Sequence, residues 1–259
     1  MKKNFVILFL LVSISASAQM NCPTFTRYGG FDRWEISPLI STVDPFPFNE
    51  FDLAFSVQNG GDFKDHSIAA GAIIKFFTNE NLAIRLKGIY TRRSAKNVLN
   101  IADSAGTVFY SDNEEISQAL FKIAPGFQWT FFDEHLSFYG GFEVPFTYQS
   151  ELTQTGLGFD SLFTDTVSTI NSFHRVVPGG YSVGLGVFGG STYYFTHAFG
   201  AGFEISAAYQ YTRVGGKITA TQTSVTGTST GIVYSSYQNT QEKFQFTPVQ
   251  AAIFITFRF

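Results

Sequence analysis

Apolar and polar residues alternate along most of this chain, and the alternation is clearest at its end. From Val249 to Phe259, every second residue counted back from the end is apolar, and the residues between are mostly polar or small. Successive side chains of a β-strand point to opposite faces, so this period of two predicts a strand with one apolar face. The apolar positions nearest the end are Phe259, Phe257, Ile255 and Ile253.

Seven further stretches alternate in the same way, which makes the predicted fold class all-β with eight strands. The predicted strands are Phe31–Val43, Ser67–Phe77, Leu82–Thr91, Ile116–Phe131, Leu136–Tyr148, Val177–Phe195, Phe199–Thr212 and Phe244–Phe259. Pro38 weakens the first of these, because proline is confined to edge strands, strand starts and bulges. Glu50–Gln58, where Phe51, Leu53, Phe55 and Val57 alternate with other residues, is the alternative first strand.

The connections between these strands are alternately long and short. The long ones are Asp44–His66, Arg92–Glu115, Gln149–Val176 and Arg213–Lys243. Short periplasmic turns and long extracellular loops are typical of outer-membrane barrels, whose strand number is even. The pattern predicts an eight-stranded antiparallel up-and-down transmembrane β-barrel. A soluble sandwich, the competing interpretation of the last strand, does not require such alternation.

The charged residues within the predicted strands favour the membrane interpretation. When the apolar face of each strand is directed outward, nine charged residues fall inside: Arg33, Glu35, Lys75, Arg85, Lys87, Lys122, Glu143, Glu204 and Arg258. Lys or Arg on the lipid face at mid-bilayer costs about 2–4 kcal/mol, which explains the bias. A soluble ligand-binding barrel would show the reverse. We expect these nine residues to form a charge network in the lumen, with inward glycines making room for the long Arg and Lys side chains.

The N-terminus predicts export. Lys2 and Lys3 precede the apolar run Phe5–Val12, and Ala16-Ser17-Ala18 is a small-residue cleavage site. Residues 1–18 are therefore the predicted signal peptide, which carries the chain across the inner membrane. Residues 19–30 are a periplasmic lead, and residues 31–259 are the barrel.

Composition adds three constraints. The chain has 31 Phe and 12 Tyr but only 14% charged residues, which suits a bilayer with aromatic girdles at its interfaces. The net charge of −3 gives no indication of a nucleic-acid partner. Cys22 is the single cysteine, so no internal disulfide forms, and no two histidines have metal-ligand spacing. No cofactor or metal site is predicted.

Several sequence segments resemble the outer-membrane protein β-barrel domain family, the OmpX/OmpA-like small barrels of Gram-negative bacteria. They are the strand–turn–strand segment Phe76–Ala83, the pair Ile123–Phe127 and Phe138–Glu143, the segment Phe195–Glu204, and the ending Phe257-Arg258-Phe259. The resemblance implies the cell outer membrane as location and outer-membrane lipid as surroundings. It also implies that the barrel-assembly machinery reads the terminal Phe259, Phe257, Ile255 and Ile253.

Three functions are compatible with these patterns. The first is a non-enzymatic barrel with a structural or surface-interaction role, adhesion or partner binding, in which the loops contact an extracellular protein or surface partner. The Thr- and Ser-rich stretch from Gly216 to Ser235 could extend the last hairpin as a protruding sheet whose edge recruits a strand. The second is a porin-like narrow channel or small-molecule transporter. The third is a lipid A-modifying enzyme built around His66 or His174.

Overall fold

The computed structural model describes residues 34–42, 62–79, 81–102, 108–133, 135–161, 168–247 and 249–259. These residues form twelve antiparallel β-strands, which confirms the predicted all-β class. The strands are β1 Trp34–Ser41, β2 Asp62–Phe77, β3 Leu82–Ala102, β4 Val108–Asp133, β5 Leu136–Glu143, β6 Phe146–Gln149, β7 Leu152–Ser161, β8 Ser168–Val177, β9 Gly180–Tyr194, β10 Phe199–Thr226, β11 Ser229–Phe246 and β12 Gln250–Arg258. Among the described residues there is no helix with the length and hydropathy needed to cross a bilayer.

Eight strand positions close into a ring. Consecutive pairings run from β1 through β2, β3 and β4 to β5 and β6, then through β9 and β10 to β12, which pairs back with β1. β5 and β6 count as one position, because both lie between β4 and β9 and only Val144 and Pro145 separate them. Every position in the ring therefore has a hydrogen-bonded neighbour on both sides.

β1 occupies the seam between the two ends of the chain. Its pairs with β12 run from Glu35 with Arg258 to Ser41 with Ala252, but Ser37 and Pro38 are skipped. Proline has no backbone N–H to donate, so the interruption falls where the sequence requires it. The Ser37 hydroxyl donates to the Thr256 hydroxyl oxygen at 2.8 Å across the gap. The first ring strand thus lies within the predicted Phe31–Val43, whereas the alternative Glu50–Gln58 lies outside the described residues.

Side chains on the ring strands divide strictly between two faces. In β1 and β12 every second residue is buried, and the residues between them are exposed. The buried face points into the ring, where an apolar cluster fills part of the interior: Leu39, Ala69, Ile73, Ile89, Tyr139, Phe188, Ala252 and Phe254. The interior is therefore a packed core and not an entirely polar lumen.

The long connections expected from the sequence are largely β-structure. β3 and β10 continue well past the ring, β4 begins well before it, β7 and β8 take up most of the expected loop Gln149–Val176, and β10 and β11 together occupy most of Arg213–Lys243. Thr, Ser, Val and Ile alternate in these stretches, and β-branched residues favour strands when neighbouring strands are there to pair with. The long-loop prediction was wrong for these segments because the segments pair with one another.

We call the paired strand segments that lie beyond the ring the sheet extension. It consists of residues 62–69 of β2, 92–102 of β3, 108–119 of β4, β7, β8, 214–226 of β10 and 229–240 of β11. The segment of β10 from Val214 to Thr226 rises roughly 40 Å at about 3.4 Å per residue. The extension is continuous with the ring, since β3, β4 and β10 belong to both.

Gly190 makes room for an aromatic side chain and not, as expected of the inward glycines, for Arg or Lys. A Cβ atom at Gly190 would lie 2.3 Å from the Phe203 carbonyl oxygen and 2.6 Å from the Tyr139 hydroxyl oxygen. Neither group has room to retreat, because Phe203 is held in the ladder with β9 and Tyr139 is buried. Gly190 therefore keeps β9 close to the Tyr139 side chain.

We expect Gly190→Ala to lower the free energy of unfolding by about 1–3 kcal/mol, the usual cost of overpacking a core. Gly88→Ala is the matched control, because a Cβ atom there has no neighbour within 4 Å. Urea unfolding of the folded protein in lipid or detergent, followed by tryptophan fluorescence, measures both. Equal effects of the two substitutions would contradict the packing role of Gly190.

Candidate functional site

The inside of the ring brings together most of the charged residues singled out from the sequence. Seven are almost completely buried: Glu35, Lys75, Arg85, Lys87, Lys122, Glu143 and Glu204. The side chain of Arg258 is 17% exposed. Arg33 lies outside the described residues. A buried charge is tolerated only when it is paired and hydrogen-bonded, so the pairing of these groups decides what the interior can do.

One ionic cluster lies at the seam and is organised by Glu35. Lys75 donates to Glu35 Oε1 at 2.6 Å, while Arg258 approaches Oε2 at 3.3 Å and the Tyr194 hydroxyl donates to the same oxygen at 2.8 Å. The Arg258 guanidinium also donates to the Tyr194 hydroxyl oxygen. Glu35 is the register partner of both Lys75 and Arg258. A single row of three charges therefore crosses three adjacent strands and joins the first ring strand to the last.

A second ionic cluster spans the middle of the ring. Arg85 on β3 donates to both oxygens of Glu204 on β10, at 2.7 and 2.9 Å, in the bidentate geometry that makes such pairs strong. The same guanidinium reaches Glu143 Oε2 at 3.4 Å, and Lys87 reaches Glu204 Oε1 at 3.0 Å. β3 and β10 are not neighbours in the ring, so this cluster crosses the interior from wall to wall.

Aromatic rings complete the surroundings of the cations. The Arg85 guanidinium lies 3.7 Å from the centre of the Phe188 ring, and Lys75 Nζ lies 4.7 Å from that of Tyr139. Cations are attracted to the face of an aromatic ring, most strongly when water is excluded. Phe188 and Tyr194 were missed by the sequence analysis, although their inward phase on β9 could have identified them.

The remaining inward cation lies closer to the sheet extension. Lys122 donates to Gln250 Oε1 at 2.8 Å. Beyond it, a small cavity of about 30 Å³ is lined by residues that include Gln149, Leu152, Val177 and Ile218. A cavity of that size holds about one or two water molecules and no larger ligand. The cross-wall ion pairs and the aromatic rings beside them therefore occupy the middle of the ring with buried side chains.

The outside of the ring is as uniformly apolar as the inside is charged. No charged residue faces outward within residues 34–40, 70–76, 82–90, 121–131, 138–148, 181–193, 199–211 and 251–257. One row of neighbouring residues, Tyr90, Phe121, Tyr148 and Tyr181, carries exposed aromatic rings across four strands. Ile253, Ile255, Phe257 and Phe259, predicted to be an assembly signal, all lie exposed on this outer surface.

The sheet extension ends at β11. Among the described residues β11 pairs only with β10, and its side chains are exposed on both faces, with Tyr234 at 75% and Val233 at 63%. The stretch Ser229–Gln241 has no charged residue and no proline. By contrast, the first strand of the extension begins with Asp62, Lys64 and Asp65, charges of the kind that protect sheet edges.

The histidines considered as catalytic candidates are not brought together. His66 lies on β2 opposite Ser94 of β3, and His174 lies on β8 between Thr155 and Thr221. Neither register position places a carboxylate directly opposite the histidine. Within the described ranges, no three His, Cys, Asp or Glu residues are grouped so that they could hold a metal ion.

No family model matches the sequence, and no curated protein matches it. Among solved structures, the chain is similar to the outer membrane protein OprG from Pseudomonas aeruginosa, with 10% identity, a TM-score of 0.40, and 88% of this chain and 96% of that chain covered. It is also similar to a major outer membrane protein from Thermus thermophilus, with 11% identity, a TM-score of 0.37, and coverage of 88% and 98%. CarO2 from Acinetobacter baumannii shows 11% identity, a TM-score of 0.31, and coverage of 89% and 100%. Likenesses of this size carry no conclusion, so the function proposed below rests on the chain's own residues.

We expect Glu35→Gln to lower the free energy of unfolding by roughly 3–5 kcal/mol, because it leaves Lys75 and Arg258 without their carboxylate partner in a buried site. Glu242→Gln is the matched control, since the Arg213–Glu242 pair is about half exposed and such pairs are worth about 0–1 kcal/mol. Urea unfolding measures both. A loss for Glu35→Gln no larger than that of the control would contradict the role assigned to the seam cluster.

Proposed function

We propose that this protein is a non-enzymatic integral outer-membrane β-barrel of the OmpX/OmpA-like kind, with a structural or surface-interaction role exercised by its sheet extension. The observation that carries the proposal is the distribution of charge across the ring wall. Ion pairs lie inside, and the outer surface from residue 34 to residue 257 presents no outward charge within its ring segments. A soluble protein with this outer surface would expose a continuous apolar belt to water.

The outer face and the closure of the ring each suit a bilayer. Outward side chains such as Phe142, Phe203, Leu185 and Ile253 are more than half exposed in the isolated chain, and lipid would cover them. A closed ring also satisfies the backbone groups of every strand, which the hydrocarbon region demands because it offers no water. The row containing Tyr90, Phe121, Tyr148 and Tyr181 supplies aromatic rings of the kind that mark membrane interfaces.

The role in surface interaction is supported because the interior of the ring favours neither a channel nor an enzyme. The ring is filled by paired side chains, which favours a plug over the alternative of a channel or transporter. The scattered histidines give no support to a lipid A-modifying enzyme. What remains accessible is the sheet extension, whose β10 segment is roughly 40 Å long at about 3.4 Å per residue. An extracellular protein or surface partner is the proposed ligand.

Export and assembly complete the proposal. The predicted signal peptide, residues 1–18, lies outside the described residues and would direct the chain across the inner membrane. The exposed residues Ile253, Ile255, Phe257 and Phe259 of the closing strand are the proposed signal for the barrel-assembly machinery. Outer-membrane lipid is then the surrounding medium of the folded ring.

We expect the folded protein to resist carbonate extraction from outer membranes and to change gel mobility on heating. Phe142→Arg should destabilise it by about 2–4 kcal/mol in lipid, because it places a cation on the lipid face. Tyr234→Arg is the matched control, since Tyr234 is exposed on the same side of the wall but in the extension. Recovery of the native protein in the soluble periplasm, or equal effects of both substitutions, would contradict the proposed membrane position.

We expect the purified full-length protein to be electrically silent in planar bilayers, because paired side chains fill the ring. Glu204→Ala removes the bidentate partner of Arg85, so it breaks the central ionic cluster and should produce a measurable ion conductance. Glu242→Ala is the control: it breaks the exposed Arg213–Glu242 pair between β10 and β11 and should leave the bilayer without conductance. Steady single-channel conductance from the unmodified protein would favour the channel alternative.

A further inference from the structure

Within the part of the chain that the structure describes, β11 pairs on one side only, and its edge from Ser229 to Gln241 carries neither charge nor proline. Sheet edges in folded proteins are normally blocked by charged side chains, proline, bulges or short length. β11 is 18 residues long, and Ser229–Gln241 has none of the first two devices. The register of β11 with β10 is continuous from Phe246 to Ser229, so no bulge interrupts it either. At the opposite edge of the same sheet, β2 begins with a segment that contains charged residues.

The side chains along this stretch are suited to pairing with a strand like itself. Ile232, Val233, Tyr234 and Tyr237 are each at least half exposed, and the other residues from 229 to 241 are Gly or uncharged polar residues. Aromatic and β-branched residues contribute most when they lie opposite one another on neighbouring strands, whereas like charges placed opposite are destabilising. Because residues 229–241 carry no charge, two copies of the stretch meet without repulsion.

We propose that β11 pairs antiparallel with β11 of a second copy of this chain held in a facing membrane, so that the protein joins two membranes through one continuous sheet. The inference deepens the proposed function and rests on it, since it requires the ring to lie in a membrane. Copies in one membrane present their β11 strands in the same direction, so pairing between them would be parallel. Copies in facing membranes present the strands in opposite directions.

The register follows from the position of the charges. The uncharged stretch is centred on Ser235, so an antiparallel pair centred there keeps Glu242 and Lys243 of each copy beyond the end of the other strand. In that arrangement Val233 of each copy lies opposite Tyr237 of the other, and Thr230 lies opposite Thr240. A β-branched residue then faces an aromatic one and threonine faces threonine, which are favourable cross-strand pairs. The interface is two-fold symmetric, as most homodimer interfaces are.

The test uses the full-length protein with Cys22→Ser, because Cys22 is the single native cysteine. Two populations of phosphatidylethanolamine–phosphatidylglycerol vesicles receive differently tagged copies, one with Thr230→Cys and the other with Thr240→Cys. After mixing and mild oxidation, we expect a disulfide that joins the two tags. Ser235→Cys should cross-link with itself between populations, and Thr230→Cys should not.

A matched pair of lysine substitutions tests whether the edge itself is responsible. Val233→Lys places a charge on the free strand and should reduce the cross-link between populations at least tenfold. Gln222→Lys places the same charge directly opposite, on β10, which is already paired on both sides, and should leave the yield unchanged. Both variants should insert normally, as judged by heat-modifiable mobility.

Three outcomes would overturn the inference. A Thr230→Cys disulfide within one vesicle population indicates parallel pairing in one membrane. A protein that inserts but gives no disulfide shows that β11 does not self-pair. Slow exchange of the β11 amides that point away from β10, measured in dilute, monomeric protein, shows that another segment of the same chain covers the edge. Each leaves the proposed function standing, whereas loss of carbonate resistance and heat-modifiable mobility would overturn the proposed function itself.

Discussion

Closure between β1 and β12 is the constraint on which the rest of the structure depends. A sheet with this outer surface has no stable edge in an apolar medium, because unpaired backbone groups cost several kcal/mol each when water is absent. The seam is held by backbone pairs on either side of Pro38 and by Glu35, which binds Lys75 on one neighbouring strand and Arg258 on the other. Without that closure, the sheet would not enclose an interior in which the charged side chains are separated from the apolar outer face.

The interior is built from two kinds of contact that act together. Ion pairs such as Arg85–Glu204 cross from wall to wall and fix the distance between strands that are not neighbours. Phe188 and Tyr139 lie against the cations, and Gly190 on β9 leaves space for the Tyr139 side chain. A buried ion pair contributes little net stability compared with apolar packing, but it penalises wrong partners heavily. An arrangement of strands that separated Arg85 from Glu204 would leave buried charges unpaired, which disfavours that arrangement.

Sequence periodicity predicted the ring strands well because an error of one residue would reverse the faces of a whole strand. The inward phases of Lys75, Lys122 and Glu143 could be assigned for this reason, since each sits between outward apolar residues. The partners of Arg85 could not be predicted, because pairing across the ring depends on geometry that no local pattern encodes. The strands β7 and β8 were interpreted as a loop, since their Thr, Ser, Gly and Gln residues resemble a polar linker until neighbouring strands are known. The extended hairpin considered for Gly216–Ser235 is present as the paired strands β10 and β11. Tyr194 was missed, although the outward phase of its neighbours Tyr193 and Phe195 assigns it to the inward face.

The position of the seam has a consequence for biogenesis. The Arg258–Glu35 contact joins residues separated by 223 positions along the chain, and β12 ends at the penultimate residue of the sequence. Contacts of such high sequence separation form late, because the entropy of closing the loop must be met before they contribute. β1 therefore cannot obtain its second neighbour until β12 is available to pair with it. Until then, that edge of β1 presents unpaired backbone N–H and C=O groups, which are a template for a strand of another chain.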